Sequence, residues 1–324
     1  MARSGLTDER QARDTATMSG AERLADGGQA RRRRRRRTWL TITLFLMPAL
    51  VLFVLLVLLP IVIAAYASFF KWNGLGGPPS DYVGLGNFRK LFGDDTFHKD
   101  LWHGAILIVL SLVVQLPLAL GIALLLNQRF RGRAFFRVVF FAPYVLAEVL
   151  AGVLFTILFS PETGVGFAQG WLADPGKVLY ALFLVLTWKY FGFHMILYLA
   201  GRQNIPQELL DAAATDGATK WQSFRHVTLP LLGPTIRISV FLSVIGVIQL
   251  FDMVWVLTTG GPIHGSETLA VTMFNFGFRR FEVGYASAIS MVMFMLSLIF
   301  ALFYQRFIMR RDIQGAMTVM GETR

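Results

Sequence analysis

The stretch LTITLFLMPALVLFVLLVLLPIVIAAYASFF, residues 40–70, carries no charged side chain across 31 positions and directly follows Trp39, Thr38 and seven consecutive arginines at 31–37. An α-helix needs about 20 apolar residues to cross the ~30 Å hydrocarbon layer, because lipid offers no partner to an unpaired backbone N–H or C=O. The run is therefore long enough to span a bilayer. The arginines before it read as an electrostatic stop against anionic headgroups, with nucleic-acid binding as the competing explanation and not the one expected. Ala65-Tyr66-Ala67 resembles a signal-peptidase site, yet the apolar run is about twice the roughly 7–15 residues of a signal peptide's apolar region, so retention as an anchor is expected.

Five further segments reach spanning length: 105–126, 138–159, 178–200, 235–257 and 286–307. The composition agrees, since 55% of the 324 residues are hydrophobic and only 16% are charged, against roughly 25% charged in soluble domains. An all-α membrane protein with six transmembrane helices follows. The organisation expected is a disordered basic tail at 1–37, a six-helix domain at 38–311 and a short tail at 312–324. With 0 cysteines the chain has no disulfide scaffold and no zinc-thiolate site, and its 5 histidines form no H-E-x-x-H, so no metal site is expected.

Basic loops resist translocation, so Lys and Arg report orientation. With the N-terminus inside, 23 of the 31 basic residues fall in the inner set. That set includes Arg131, Arg133 and Arg137, then Arg202, Lys220, Arg225 and Arg237, then Arg306, Arg310 and Arg311. The outer loops hold Lys71, Arg89, Lys90, Lys99, Lys177, Arg279 and Arg280, and Lys189 alone lies within a span. Both termini and the loop 201–234 are therefore expected in the cytoplasm.

That loop reads GRQNIPQELLDAAATDGATKWQSFRHVTLPLLGP. Pro206 suits the first turn of a helix, Glu208 and Asp211 sit near its positive end, and Gly217 can take the left-handed conformation that closes it. A first short helix over about 206–216 is expected, then a second from near Thr219 stopped by Pro230. Leu209, Leu210, Ala213 and Ala214 make an apolar face. A surface hairpin folded against the membrane boundary is the plain alternative to a docking element.

These residues resemble the E-A-A-x3-G-x9-I-x-L-P motif of permease subunits of binding-protein-dependent ABC importers. Asp211-Ala212-Ala213 stands at E-A-A, Gly217 three residues on, and Val227, Leu229 and Pro230 at I-x-L-P. Asp211 for Glu and Val227 for Ile are the departures. Further stretches resemble the sugar-type permeases of the maltose and glycerol-phosphate kind. They are Tyr82-Val83-Gly84-Leu85-Gly86-Asn87-Phe88, then Arg131-Gly132-Arg133-Ala134-Phe135-Phe136-Arg137, then Phe251-Asp252 with Thr258-Thr259-Gly260-Gly261-Pro262. His103-Gly104 departs from the Asn-Thr of many relatives.

The resemblance implies a type I importer bundle whose loop is a coupling helix seated on a separate ATPase. This chain would then be a non-catalytic subunit binding no cofactor, with ATP-Mg used by the ATPase. Its implied partners are a second homologous permease in a heterodimer, an ATPase dimer, an extracytoplasmic solute-binding protein and membrane lipid, with no nucleic acid, in a prokaryotic plasma membrane. Leu209, Leu210, Ala212, Ala213 and Gly217 would supply the docking surface, with Glu208, Asp211 and Asp216 offering carboxylates and Leu229 and Pro230 completing the motif. The one Gly-Lys, Gly176-Lys177, lacks the flanking residues of a phosphate-binding loop.

Polar residues inside spans are costly and tend to face a bundle interior. Gln115, Glu148 and Lys189 lie about midway along the second, third and fourth spans. Glu148 and Lys189 at equal depth permit a neutralising pair, weighed against sugar contact. Gln249 and Asp252 lie further along the fifth span. Trp188, Tyr190, Phe251 and Trp255 offer faces on which sugars stack, or simple packing. Glu148, Trp188, Lys189, Gln249, Asp252 and Trp255 are the candidate substrate path. A self-sufficient secondary transporter is the alternative, which would call for inverted repeats that do not stand out here. A membrane-embedded enzyme lacks an ordered set of nucleophile, base and metal ligands.

Overall fold

A computed structural model describes residues 39, 41–128, 130–164 and 166–309. The expected tails at 1–37 and 312–324, with the arginine run, lie outside the described residues. The chain divides into two units, Met1–Ile63 and Ala64–Arg324. Helix α1, Thr41–Ala67, supplies nearly all of the described part of the first and ends in the second, and no residue in its most apolar window is buried. Its mean hydropathy of 3.1 makes lipid the natural surrounding.

The second unit opens with two short antiparallel strands, β1 (Phe70–Lys71) and β2 (Asp81–Tyr82), pairing Phe70 with Tyr82. Helix α2 (Gly86–Phe92) follows. Asn87 Nδ2 donates to the carbonyls of Ser68 and Phe70 at 2.8 and 2.9 Å, so the YVGLGNF stretch ties down the chain as it leaves α1. Helix α3 runs Asp95–Leu126, and the Asp94 carboxylate accepts from the Thr96 N–H at 2.8 Å as its cap. Helix α4 (Arg133–Val145) begins after Gly132, and Arg137 Nη2 donates to the Leu126 carbonyl at 3.0 Å, joining the ends of α3 and α4.

The expected continuous third span at 138–159 is corrected: α4 and α5 (Glu148–Leu158) meet at a 97° bend. Pro143 removes one helical donor, Leu146 and Ala147 turn extended with ψ of 144° and 141°, and the Leu146 carbonyl finds its donor elsewhere, in Lys189 Nζ at 2.6 Å. Helix α6, Val178–Gln203, is unbroken and half buried across its most apolar window.

Beyond it come α7 (Gln207–Thr215), α8 (Lys220–Leu231) and α9 (Gly233–Ile248), the last two bent by 64°. Pro230, expected from sequence to stop α8, does not, since the helix continues past it to Leu231. The π-helical turn Phe224–Thr228 just before it has already displaced the carbonyls its ring would meet, and the chain bends instead at Leu232, ahead of Gly233 and Pro234. The expected fifth span at 235–257 is also broken, because residues 249–251 leave the helix before α10 (Asp252–Thr258). There Thr268 Oγ1 donates to the Leu250 carbonyl at 2.8 Å in place of a helical N–H. The Thr-Thr-Gly-Gly-Pro turn closes α10, with Thr258 Oγ1 donating to the Val254 carbonyl at 3.0 Å and accepting from the Gly260 N–H at 3.2 Å. Helix α11 (Leu269–Phe274) and the long α12 (Val283–Met309) complete the unit. Among the described residues four helices can cross a membrane by length and composition, or six if each bent pair is one span.

The largest core cluster joins Phe155, Leu182, Val185, Val247, Met253 and Val254, from α5, α6, α9 and α10. In lipid, apolar side chains gain little by moving from hydrocarbon to protein, so close approach and hydrogen bonds must hold the helices. Gly192 shows such an approach: a Cβ there would lie 1.9 Å from the Phe140 carbonyl oxygen of α4.

Candidate functional site

Two groups of candidate residues occupy different levels of the second unit. The first is the α7–α8 hairpin. Pro206 is the residue before the first turn of α7, with ψ 132°, and Glu208 lies in that turn. Gln207 Nε2 donates to Asp211 Oδ1 at 3.0 Å, and Thr215 Oγ1 donates to the Asp211 carbonyl at 2.9 Å. Gly217 has φ +78°. Its N–H donates to the Ala214 carbonyl at 3.1 Å and the next, from Ala218, reaches back to Ala213 at 3.0 Å, a Schellman closure. Two residues on, Thr219 and Gln222 form a reciprocal capping box that starts α8.

A turn this strongly specified fixes the angle between two short helices without help from the lipid. Its outer surface is bare: Leu209 is 44% and Trp221 66% exposed. Glu208, Asp211, Ala212, Asp216, Gly217 and Pro230 are exposed, while Leu210, Ala213 and Leu229 are half-buried. Carboxylates and apolar side chains thus lie side by side on a small, stiff projection, which can take a partner presenting cations around an apolar recess.

The second group sits about midway along α6, roughly 20 Å from its Gln203 end at 1.5 Å per residue. The Glu148–Lys189 pair allowed by sequence does not form. Lys189, buried, is taken by the Leu146 carbonyl, and Glu148 instead accepts from the Tyr190 hydroxyl. The break between α4 and α5 frees a carbonyl, and the ammonium satisfies it. Trp188 packs edge-on against Phe155 at 5.0 Å between ring centres. Phe251 and Trp255 stack at 5.7 Å, with Arg279 5.6 Å over the Trp255 ring. Gln249 and Asp252 are exposed beside the 249–251 break.

Near Tyr190 lies a cavity of about 260 Å³ whose polar lining comes from Ser111, Gln115, Tyr144, Tyr190, His194 and Ser243. The Ser239 hydroxyl bonds His194 Nδ1 at 2.7 Å just behind it. Of these residues the sequence reading singled out Gln115 and Tyr190 and missed the rest. A signal was present: Ser111/Gln115, Tyr190/His194 and Ser239/Ser243 are polar pairs four residues apart on otherwise apolar helices, one face each. Gln115 and Tyr190 line this cavity, whereas Glu148, Trp188, Lys189, Gln249, Asp252 and Trp255 do not.

Known proteins share both the sequence and the architecture. Residues 115–312 match the family described as binding-protein-dependent transport system inner membrane component. The chain is 34% identical over 275 residues to a probable ABC transporter permease protein of Pyrococcus horikoshii, covering 81% of this chain and 94% of that one. It is 33% identical over 279 residues to the sulfoquinovosyl glycerol transport system permease protein of Agrobacterium fabrum, covering 83% and 90%. With the lactose transport system permease protein of Rhizobium radiobacter it shares 32% over 267 residues, covering 78% and 89%. The fold is that of a chain in the crystal structure of a bacterial ABC transporter that imports the acidic polysaccharide alginate, with TM-score 0.74 at 23% identity, covering 85% of this chain and 96% of that chain. A match that takes in the hairpin, the central helix and the last span leaves one conclusion: the chain belongs to the family of inner membrane components of binding-protein-dependent transport systems.

Proposed function

We propose that this chain is one permease half of an ATP-driven importer of an oligosaccharide or related polyol, driven through the α7–α8 hairpin by a separate ATPase. The hairpin carries the reading. It is stiff, exposed, mixed apolar and acidic, and continuous through α8 and α9 with a wall of the cavity, so a push on α7 reaches the helices that line it. Relatives named for lactose and sulfoquinovosyl glycerol transport support the carbohydrate class. A cavity edged by hydroxyl, amide, imidazole and aromatic groups suits a neutral polyhydroxylated solute.

In this reading ATP-Mg is consumed by the ATPase and never by this chain. A second, similar permease supplies the other half of the path, and an extracytoplasmic binding protein delivers the solute. Both termini face the cytoplasm of a prokaryotic cell. Leu209, Leu210, Ala212 and Ala213 form the docking face, with Glu208, Asp211 and Asp216 around it; Ser111, Gln115, His194 and Ser243 line the path, and Glu148, Trp188, Lys189, Gln249, Asp252 and Trp255 flank it. Family membership does not favour a self-sufficient carrier. Affinity purification of the tagged chain from its native membrane is expected to bring down an ATPase, a sibling permease and a binding protein. Solute accumulation by the purified chain alone in vesicles, without nucleotide, would overturn the proposal.

A further inference from the structure

A polar cleft of about 500 Å³ opens where α3 and α6 end and α7 begins, lined by Asn127, Arg133, Arg202, Gln203, Asn204 and Gln207 among others. No carboxylate lines it. Among the described residues neither the Arg133 nor the Arg202 guanidinium has a hydrogen-bond or ion-pair partner, and the side-chain amides of Asn127, Gln203 and Asn204 have none either. A third guanidinium stands close in sequence: Arg137 holds the Leu126 carbonyl, and its Nε is buried and unpaired. Donors and positive charge thus converge on one recess with nothing anionic in it.

Its level in the membrane says what fills it. Both α3 and α6 are long and apolar enough to span a bilayer, which puts their ends at the level of lipid headgroups. Next to Arg133 the turn exposes Phe130 and the start of α4 exposes Phe135 and Phe136, with Phe135 67% exposed and the Phe136 ring 5.8 Å from Phe135 and 6.2 Å from Phe130. Exposed phenylalanine rings at this height belong against the acyl chains just beneath the headgroups. A planar guanidinium in turn can give two parallel N–H bonds to the oxygens of a phosphodiester, and two such groups line this cleft. On the orientation proposed above, this is the cytoplasmic leaflet, where anionic lipids concentrate.

We propose that the cleft binds the phosphodiester headgroup of an anionic phospholipid, gripped by Arg133 and Arg202 with the surrounding amides. The lipid then sits at the root of α7, tying the hairpin to the leaflet through its Gln207 end. Any movement of α7 must carry the headgroup along or release it.

Native mass spectrometry of the full chain in detergent tests this, with phosphatidylglycerol and phosphatidylcholine as probes. Wild type is expected to retain one phosphatidylglycerol, and to hold phosphatidylcholine no better than the Arg133→Gln/Arg202→Gln variant holds phosphatidylglycerol. That double variant should bind phosphatidylglycerol about thirtyfold more weakly and each single Gln variant about fivefold, with Arg133→Lys/Arg202→Lys, which keeps the charge but loses the guanidinium fork, weakened about fivefold and so between wild type and the double Gln variant. The single variants carry the test if the double one does not fold. Retention by both Gln variants equal to wild type would overturn the proposal. Displacement of the lipid by millimolar inorganic phosphate would make this a free-anion site and overturn the lipid assignment. Loss of a copurifying ATPase with unchanged lipid retention would assign the arginines to an acidic protein surface instead. Because lipid retention is read on the chain alone, failure here is distinct from failure of the transport reading.

Discussion

At Gly217 the backbone sits at φ +78°, and its N–H is spent on the Ala214 carbonyl. Proline meets neither condition, since its ring fixes φ near −65° and it has no N–H. Gly217→Pro is expected to abolish solute-stimulated ATP hydrolysis in the assembled complex while the chain still inserts. Gly217→Asn, which tolerates the left-handed region, should retain most of the activity. Open space surrounds the position, so torsion and not crowding decides the outcome. Lys189 illustrates a different demand. Replacing it with Met removes the donor to the Leu146 carbonyl and leaves a buried acceptor bare, at a cost of about 1–3 kcal/mol. A lowered thermal midpoint for Lys189→Met, with Glu148→Gln close to wild type, is the result expected. Equal losses from both would restore the Glu148–Lys189 pairing that the sequence allowed.

For the short elements, capping chemistry outweighs length. Helix α7 has nine residues, too few to persist alone in water. Its Schellman end and the Thr219–Gln222 box fix both sides of the turn. Thr219→Ala should cost the start of α8 about 1 kcal/mol, visible as faster hydrogen exchange confined to residues 219–223 and slower transport. Unchanged exchange there would mean that the box contributes nothing. This hairpin was legible in the sequence because Pro206, Gly217 and Thr219 act locally, each through its own backbone. The breaks at 146–147 and 249–251 were not. The first depends on Lys189 reaching over from α6 and the second on the Thr268 hydroxyl, side chains that no window of local sequence contains. Pro143 hinted at the first break; the second has no proline at all.

For the whole molecule, apolar length marked six spans, of which four are single helices among the described residues and two are bent pairs, and the family match bears out the helical permease class. The cavity was half legible. Gln115 and Tyr190 stood out as polar or aromatic positions in apolar runs, while small hydroxyl residues such as Ser111 and Ser243 are too common in membrane helices to mark a path individually. The orientation proposed from basic residues can be read directly, since the chain has 0 cysteines and any introduced thiol reports alone. Ser80→Cys should react with an impermeant maleimide on intact cells, and Ala218→Cys only after the membrane is opened. The reverse pattern would place the hairpin outside and end the coupling argument.

The π-helical turns inside the long helices add something beyond static shape. Ser111–Gln115 in α3 and Phe224–Thr228 in α8 each bond at i→i+5, winding one more residue into the turn than an α spiral would hold. That surplus is slack. Passing it along by a single residue exchanges a few hydrogen bonds for equivalent ones while rotating the side chains between its old and new positions by about 100°. In α3 such a slip would swing Ser111 or Gln115 away from the cavity without breaking the helix. If the cavity is the solute passage proposed above, such a screw adjustment would let it change its polar lining while the ends of α3 stay anchored.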